Sequence, residues 1–504
     1  MSYLKHPMPS PILPLGLLLL FFTLWGTLPA LAETFVSGDV TGEWTLERSP
    51  YFVIGNINIP DGRQLIIDPG VLVFFTGAYQ FTTYGFLSAR GDTTNNRLIT
   101  FTSDSLVWMG LRFDHSDNRS HLDNCIIHNA WVGVDCISSQ LRIEGCFIYA
   151  RSIGINLDAS SPTITNNPLI QVVGNNINDP RITAINLYNG SNPIIRNNKL
   201  IQCTTDSYGE AYGICIREYS NPIIEENWIE VASGRKSRGI DAQQVSKLEI
   251  KHNIIKVRAH QEMAGIHLVD ATGVHIINND IIIEEGTCID AIGADIGRDC
   301  QLSLTNNIFL GNYTSVGVHN EGQLDAITGY NLFWQHNEPY SGEWDNFEED
   351  SNLVDKDPKF IPGGYHLYWE EIGNFESDHS PCIDAGYTEW RDPDGTRSDI
   401  GRYYLYYVPY SAPTETPGTY SLLVAYPNPF NGTVRVEFSL LQAENASLTI
   451  RDATGRLIRE LLNANATTGW HSTTWDATGA PAGSYLLTLH TPTQTYSQTI
   501  LYLP

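Results

Sequence analysis

The sequence predicts an all-β chain: a solenoid of stacked parallel strands followed by a small β-sandwich. Three observations carry this. A short motif, Ile-x-x-Asn-x-Ile, recurs through the middle of the chain in steps of 21 to 31 residues. Between its copies lies a second motif, apolar-Gly-apolar-x-apolar, with the alternation of a short strand buried on one face. After Arg402 both motifs stop, and a new pattern of short alternating runs and turn residues begins.

The first motif appears at Ile164–Asn167, Ile195–Asn198, Ile224–Asn227, Ile250–Asn253, Ile276–Asn279 and Leu304–Asn307, each followed two residues later by Leu, Ile or Phe. Upstream, Leu122–Cys125 and Ile143–Cys146 keep the frame with Cys where Asn later stands. One such unit cannot bury its own apolar face, whereas stacked units form a continuous core. Equivalent side chains on successive coils then sit about 4.8 Å apart. At that spacing stacked amides each donate to one neighbour and accept from the other, which predicts an asparagine ladder with no catalytic role. The second motif recurs around Gly133, Gly154, Ala184, Gly213, Gly239, Gly265 and Gly317. We expect its glycine and its x residue to face outward.

The 504 residues carry 30 Lys and Arg against 56 Asp and Glu, a formal charge of −26. Such a surface repels phosphate backbones, so no nucleic-acid partner is expected. Gly, Asn, Ile and Tyr are abundant and helix formers scarce, consistent with an all-β chain. The eight cysteines lie between Cys125 and Cys382, and serve equally well as disulfide partners or as small buried thiols.

Lys5 and His6 precede an apolar run from Leu15 to Trp25, and Ala30-Leu31-Ala32 supplies small residues at the exit. This is the layout of a secretory signal peptide over residues 1–32. No later stretch is long and apolar enough to span a bilayer, which needs about 20 residues, so the mature chain is expected to have no transmembrane span.

The repeats, the entry Ile59-Pro60-Asp61-Gly62 to Ile67-Asp68-Pro69-Gly70, and the exit Ser380-Pro381-Cys382-Ile383-Asp384-Ala385-Gly386 resemble the right-handed parallel β-helix family of pectate lyases and their relatives, over residues 33–402. That fold hosts lyases, hydrolases, epimerases and binding proteins alike, so the resemblance implies architecture rather than activity. Residues 403–420 read as a linker. From 421 to 504, Ala425-Tyr426-Pro427-Asn428-Pro429-Phe430 and the Gly483-Ser484-Tyr485-Leu486 strand resemble the C-terminal sorting domains of the type IX secretion system, immunoglobulin-like sandwiches. This resemblance implies export through outer-membrane secretion machinery, to the medium or outer surface of a bacterium with an outer membrane. The chain departs from the pattern at its end, which lacks the common basic residue.

If x faces outward, Asp135, Asn156, Asn186, Cys215, Asp241, His267, Asp290 and His319 form one external column. Asp241, His267, Asp290 and His319 are the candidate catalytic groups, because a carboxylate beside an imidazole supports general acid–base work. Arg217 and Gln243, with Glu218, are candidate substrate contacts. The bland alternative is a solvated polar ladder. Lyase chemistry on uronates needs a base and a cation; Arg217, Arg238, Lys251 and Lys256 are the nearest cations, and no signature ties them together. Asp392, Asp394 and Asp399, around Gly395, resemble part of a calcium loop without its twelfth-position ligand, or else close an Asx turn. Trp334, Tyr340, Trp344, Tyr365, Tyr368 and Trp369 stack on sugars or cap the solenoid end. The combined expectation is a secreted or surface protein that binds a glycan or surface partner, with a polysaccharide lyase or glycoside hydrolase as the alternative.

Overall fold

The structure, a computed structural model, describes residues 33–403 and 423–502, apart from 96, 104–106, 175–180, 206–208, 285–287, 289, 322–324, 343–350, 362–363, 369–378, 427–431, 441–443, 453–455, 467–468, 482 and 493–494. The expected signal peptide over residues 1–32, Trp344, Trp369, most of the expected linker and the Pro-Asn-Pro-Phe start fall outside the described residues. The chain divides into two compact units at Tyr407/Val408.

The first unit is a parallel β-solenoid. A twelve-stranded parallel sheet takes one short strand from each coil. Two further parallel stacks complete each turn, and the long strands Tyr51–Ile59, Cys125–Ile137 and Phe147–Asp158 run through both of them. The inward positions are almost all aliphatic: Ile164, Ile195, Ile224, Ile250 and Ile276 are fully buried, one above another.

The asparagines form the expected ladder. Each Nδ2 from Asn167 to Asn307 donates to Oδ1 of the next rung at 2.8–3.1 Å, through Asn198, Asn227, Asn253, Asn279 and on to Asn331. The backbone N–H of each rung donates to the same oxygen. The second amide hydrogen goes to a carbonyl of the preceding coil, as from Asn253 to Ile224 at 2.9 Å. Every polar atom is thereby satisfied in a dry interior, where an unpaired one costs about 1–3 kcal/mol. The residue before each rung is left-handed, for example Asn197 (φ 52°), His252 (φ 52°) and Asn306 (φ 59°). This sharp bend is what turns the Asn side chain inward.

The glycines of the second motif do not face outward. A Cβ on Gly265 would lie 2.4 Å from Cγ2 of buried Ile281 and 2.7 Å from the Gly293 carbonyl. They sit at an inner corner where successive backbones nearly touch, and close packing rather than exposure selects glycine.

Seven of the eight cysteines, all but Cys288, are buried thiols outside any disulfide. Cys125 and Cys146 occupy the first rungs of the ladder: the Cys146 N–H donates to Asn167 Oδ1 at 2.9 Å and its thiol to the Leu122 carbonyl at 3.3 Å.

The second unit has a three-stranded and a four-stranded antiparallel sheet. Val434, Val436, Phe438 and Trp475 of one share a core with Leu448, Ile450, Leu487, Leu489 and Ile500 of the other.

Candidate functional site

The outward column exists, because parallel pairing without slippage puts each x residue beside its equivalent on the next coil. Asp135, Asn156, Asn186, Cys215, Asp241 and His267 are consecutive partners. The next rung is Asp295, not Asp290, and after it come His319 and Ser341. Asp290 pairs with Glu262, five residues earlier on the same strand pair. The physical reason is the corner glycine: Gly293 occupies it, and Ile292-Gly293-Ala294-Asp295-Ile296 repeats the second motif in full. That repeat was the available signal for Asp295.

The first rungs form an amide chain. Asn156 Nδ2 donates to Asp135 Oδ1, and Asn186 Nδ2 to Asn156 Oδ1, both at 2.9 Å. Arg112 Nη1 meets the far side of Asp135 at 3.4 Å. The chain breaks at Cys215, whose thiol can only weakly continue it, and Arg181 Nη2 lies 3.0 Å from that sulfur. The Arg181 guanidinium stacks over the Tyr212 ring, 4.2 Å from its centroid. Among the described residues no carboxylate stands within ion-pair distance of Arg181.

A cleft of about 430 Å³ opens at this break, lined by Arg181, Thr183, Asn186, Tyr188, Arg217 and Glu218 among others.

Beyond the break the column is ionic. Arg217 pairs with Asp241, whose side chain is only 4% exposed. The other oxygen of Asp241 is 2.5 Å from Nδ1 of His267. Burial pushes the Asp241 carboxyl up, but the His267 hydrogen bond and the Arg217 charge outweigh it and hold it well below the usual range. Nε2 of His267 faces Asp295 Oδ2 at 3.8 Å, and Arg238 Nη1 holds the same oxygen at 3.3 Å. Arg238 also pairs with Glu262, which Lys236 reaches at 3.0 Å. His319 Nδ1 is 2.7 Å from Ser341 Oγ. Gln243 lies two residues beyond Asp241 on the same strand, partly exposed. This arrangement fixes an imidazole through Nδ1 and leaves Nε2 beside a carboxylate, the geometry for moving a proton at that nitrogen.

The two candidate lysines lie elsewhere. Lys251 pairs with Glu249 in the twelve-stranded sheet, and Lys256 with Glu284 on another flank. Trp334 packs on the apolar cluster of Ile308 and Leu332, Tyr340 against Phe333, and Tyr365 against Phe360 and Trp228. These contacts cover the solenoid.

The calcium candidates each accept a backbone N–H, Asp394 within its own turn and the other two between segments. Asp392 accepts the Asp399 N–H at 2.9 Å, Asp394 the Thr396 N–H at 2.9 Å, and Asp399 the Asp384 N–H at 2.7 Å. Among the described residues, no three His, Cys, Asp or Glu side chains converge to hold a metal ion.

Residues 163–281 and 207–338 match the family described as right handed beta helix region, and residues 424–502 match the secretion system C-terminal sorting domain. The chain is an exported β-helix protein. Its tail is of the type IX kind and places it in the medium or on the outer surface of its bacterium. No curated protein matches the chain. No described helix is long and apolar enough to cross a membrane.

Proposed function

We propose that this exported β-helix protein binds an extracellular polysaccharide along the outward column from Asn186 to His319. The observation that supports it most is the cleft at Cys215, where the internally satisfied amide chain stops. There Asn186, Thr183, Tyr188 and the exposed Arg181 are grouped around about 430 Å³ of open space. Binding sites join a ring face for packing to a few convergent polar groups, and Tyr188 with these neighbours has that composition. A glycan array probed with the mature protein and with Tyr188→Ala tests it. Retention of one glycan class by the wild type and its loss in the variant is expected; no retained glycan, or equal retention, overturns it.

The 2.5 Å contact between His267 and Asp241 favours a second reading, catalysis on the bound chain, with His267 Nε2 as the proton-transfer atom, Asp241 as its positioning residue and Arg217 beside them. Product formation from the retained glycan, abolished in His267→Ala while binding persists, is the outcome this reading requires. Binding without turnover sinks it.

A further inference from the structure

The chain does not leave the solenoid at its last coil. Residues 398–402 run back along its flank, across turn residues of four coils. Gly401 N–H donates to the Asn306 carbonyl at 2.7 Å, and Asn306 Nδ2 to Ser398 Oγ at 3.1 Å. Asn278 Nδ2 donates to the carbonyls of Asp399 and Gly401, both at 3.0 Å. His252 Nδ1 lies 3.0 Å from the Arg402 carbonyl, and the Arg402 guanidinium donates to the carbonyls of Asn227 and Glu226 at 3.3 and 3.1 Å. Ile308, Leu332, Leu367, Cys382 and Ile400 form the apolar layer of the same flank.

Into this layer the solenoid places a carboxyl group. Asp280 stands between Ile254 and Ile308 in its strand stack and is fully buried. Its Oδ1 accepts the backbone N–H of Arg402 at 3.0 Å, and its Oδ2 has no hydrogen-bond partner among the described residues. Gly401 packs so tightly that a Cβ there would sit 2.8 Å from Oδ1. The Arg402 guanidinium is turned away, onto carbonyls of earlier coils, and among the described residues no cation pairs directly with Asp280.

We propose that Asp280 is a pH-dependent latch for this strap, closed when its carboxyl is neutral and loosened when it is ionised. The titratable and charged groups that interact with it are Arg402, Tyr403, Cys382 and Tyr365; Lys256, Glu230 and Glu284 act on Tyr365, Asp399 and Asp357 on Cys382, and His252 and Glu226 lie on the turns that Arg402 contacts. Burial, the dominant influence, pushes the Asp280 carboxyl up to about 7, against the Arg402 N–H and the Arg402 charge. An exposed Asp titrates near ~3.9. The closed strap therefore binds the proton more tightly than the open one. Closure is most favoured below about pH 4, weakens as pH rises towards 7, and changes little above that.

Hydrogen exchange of the full mature protein, corrected for intrinsic rates, tests this. The opening equilibrium of the Gly401 and Arg402 amides should rise about tenfold per pH unit between pH 5 and 6.5 and level off above 7. The ladder amides of Asn253 and Asn279 serve as an internal reference. Asp280→Asn keeps the acceptor without the charge and should remove the pH dependence, as should Asp280→Ser if the first variant folds poorly. A pH-independent strap in the wild type, or the same slope in a folded variant, overturns the latch.

Discussion

Asp241 on one coil and His267 on the next are joined by a 2.5 Å contact, with Arg217 bound to the other oxygen of the same carboxylate. Parallel stacking brings three ionisable side chains, 50 residues apart at the extremes, to one point on the outer face. The stability of this knot and its chemistry are separable by experiment.

Replacing Asp241 by Ala leaves the Arg217 guanidinium without its partner in a largely buried place. Removing one member of such a pair costs about 3–5 kcal/mol. The midpoint of urea denaturation should fall accordingly, and Arg217→Met combined with Asp241→Ala should recover part of the loss. Because the folded carboxyl titrates below its unfolded value, its stabilisation is complete above about pH 4 and is lost on acidification below that. The wild type should lose stability more steeply than Asp241→Asn between about pH 4 and 2.

In Asn253→Ala, Asn227 Nδ2 and the Asn227 N–H both lose their acceptor at Asn253 Oδ1. Asn279 Oδ1 keeps the backbone N–H of residue 253 but loses the Nδ2 donor, and the Ile224 carbonyl loses its donor as well. At about 1–3 kcal/mol for each buried unsatisfied group, a loss of about 3 kcal/mol or more is expected in equilibrium unfolding. A cost under about 1 kcal/mol would mean that water enters the ladder.

Gly265→Ala should destabilise by about 1–3 kcal/mol, because its Cβ meets both Ile281 and the Gly293 carbonyl and the corner must open. Thermal unfolding of the variant measures it. A neutral result would place the glycine where the sequence reading had it, facing outward.

Deleting residues 421–504 should leave the β-helix folded and hold it in the periplasm. The core of the tail is its own, from Val434 to Tyr502. Fractionation of cells expressing the truncated chain checks this, and appearance of that chain in the medium or on the surface contradicts it.

The ladder was legible because Ile164, Asn167 and their equivalents repeat one local geometry: buried aliphatic, left-handed bend, inward amide. Asn331 continues it but was missed, since Thr328 replaces the leading Ile. The column was legible up to His267. Beyond it, Cys288 stands in a frame that mimics the motif five residues early, while the corner itself is Gly293 and the rung Asp295. The glycines were read as outward-facing because alternation alone does not reveal a bend. Two features had no local signal. Arg181 reaches Cys215 through packing between coils, and the Asp280–Arg402 contact closes a separation of 122 residues.

Calorimetric titration of the mature protein with an array-selected glycan tests whether a polysaccharide binds in the cleft at Cys215. Saturable binding that weakens at least about tenfold in both Arg181→Ala and Tyr188→Ala is expected, with unfolding midpoints unchanged. Equal affinity in the wild type and both variants would contradict it.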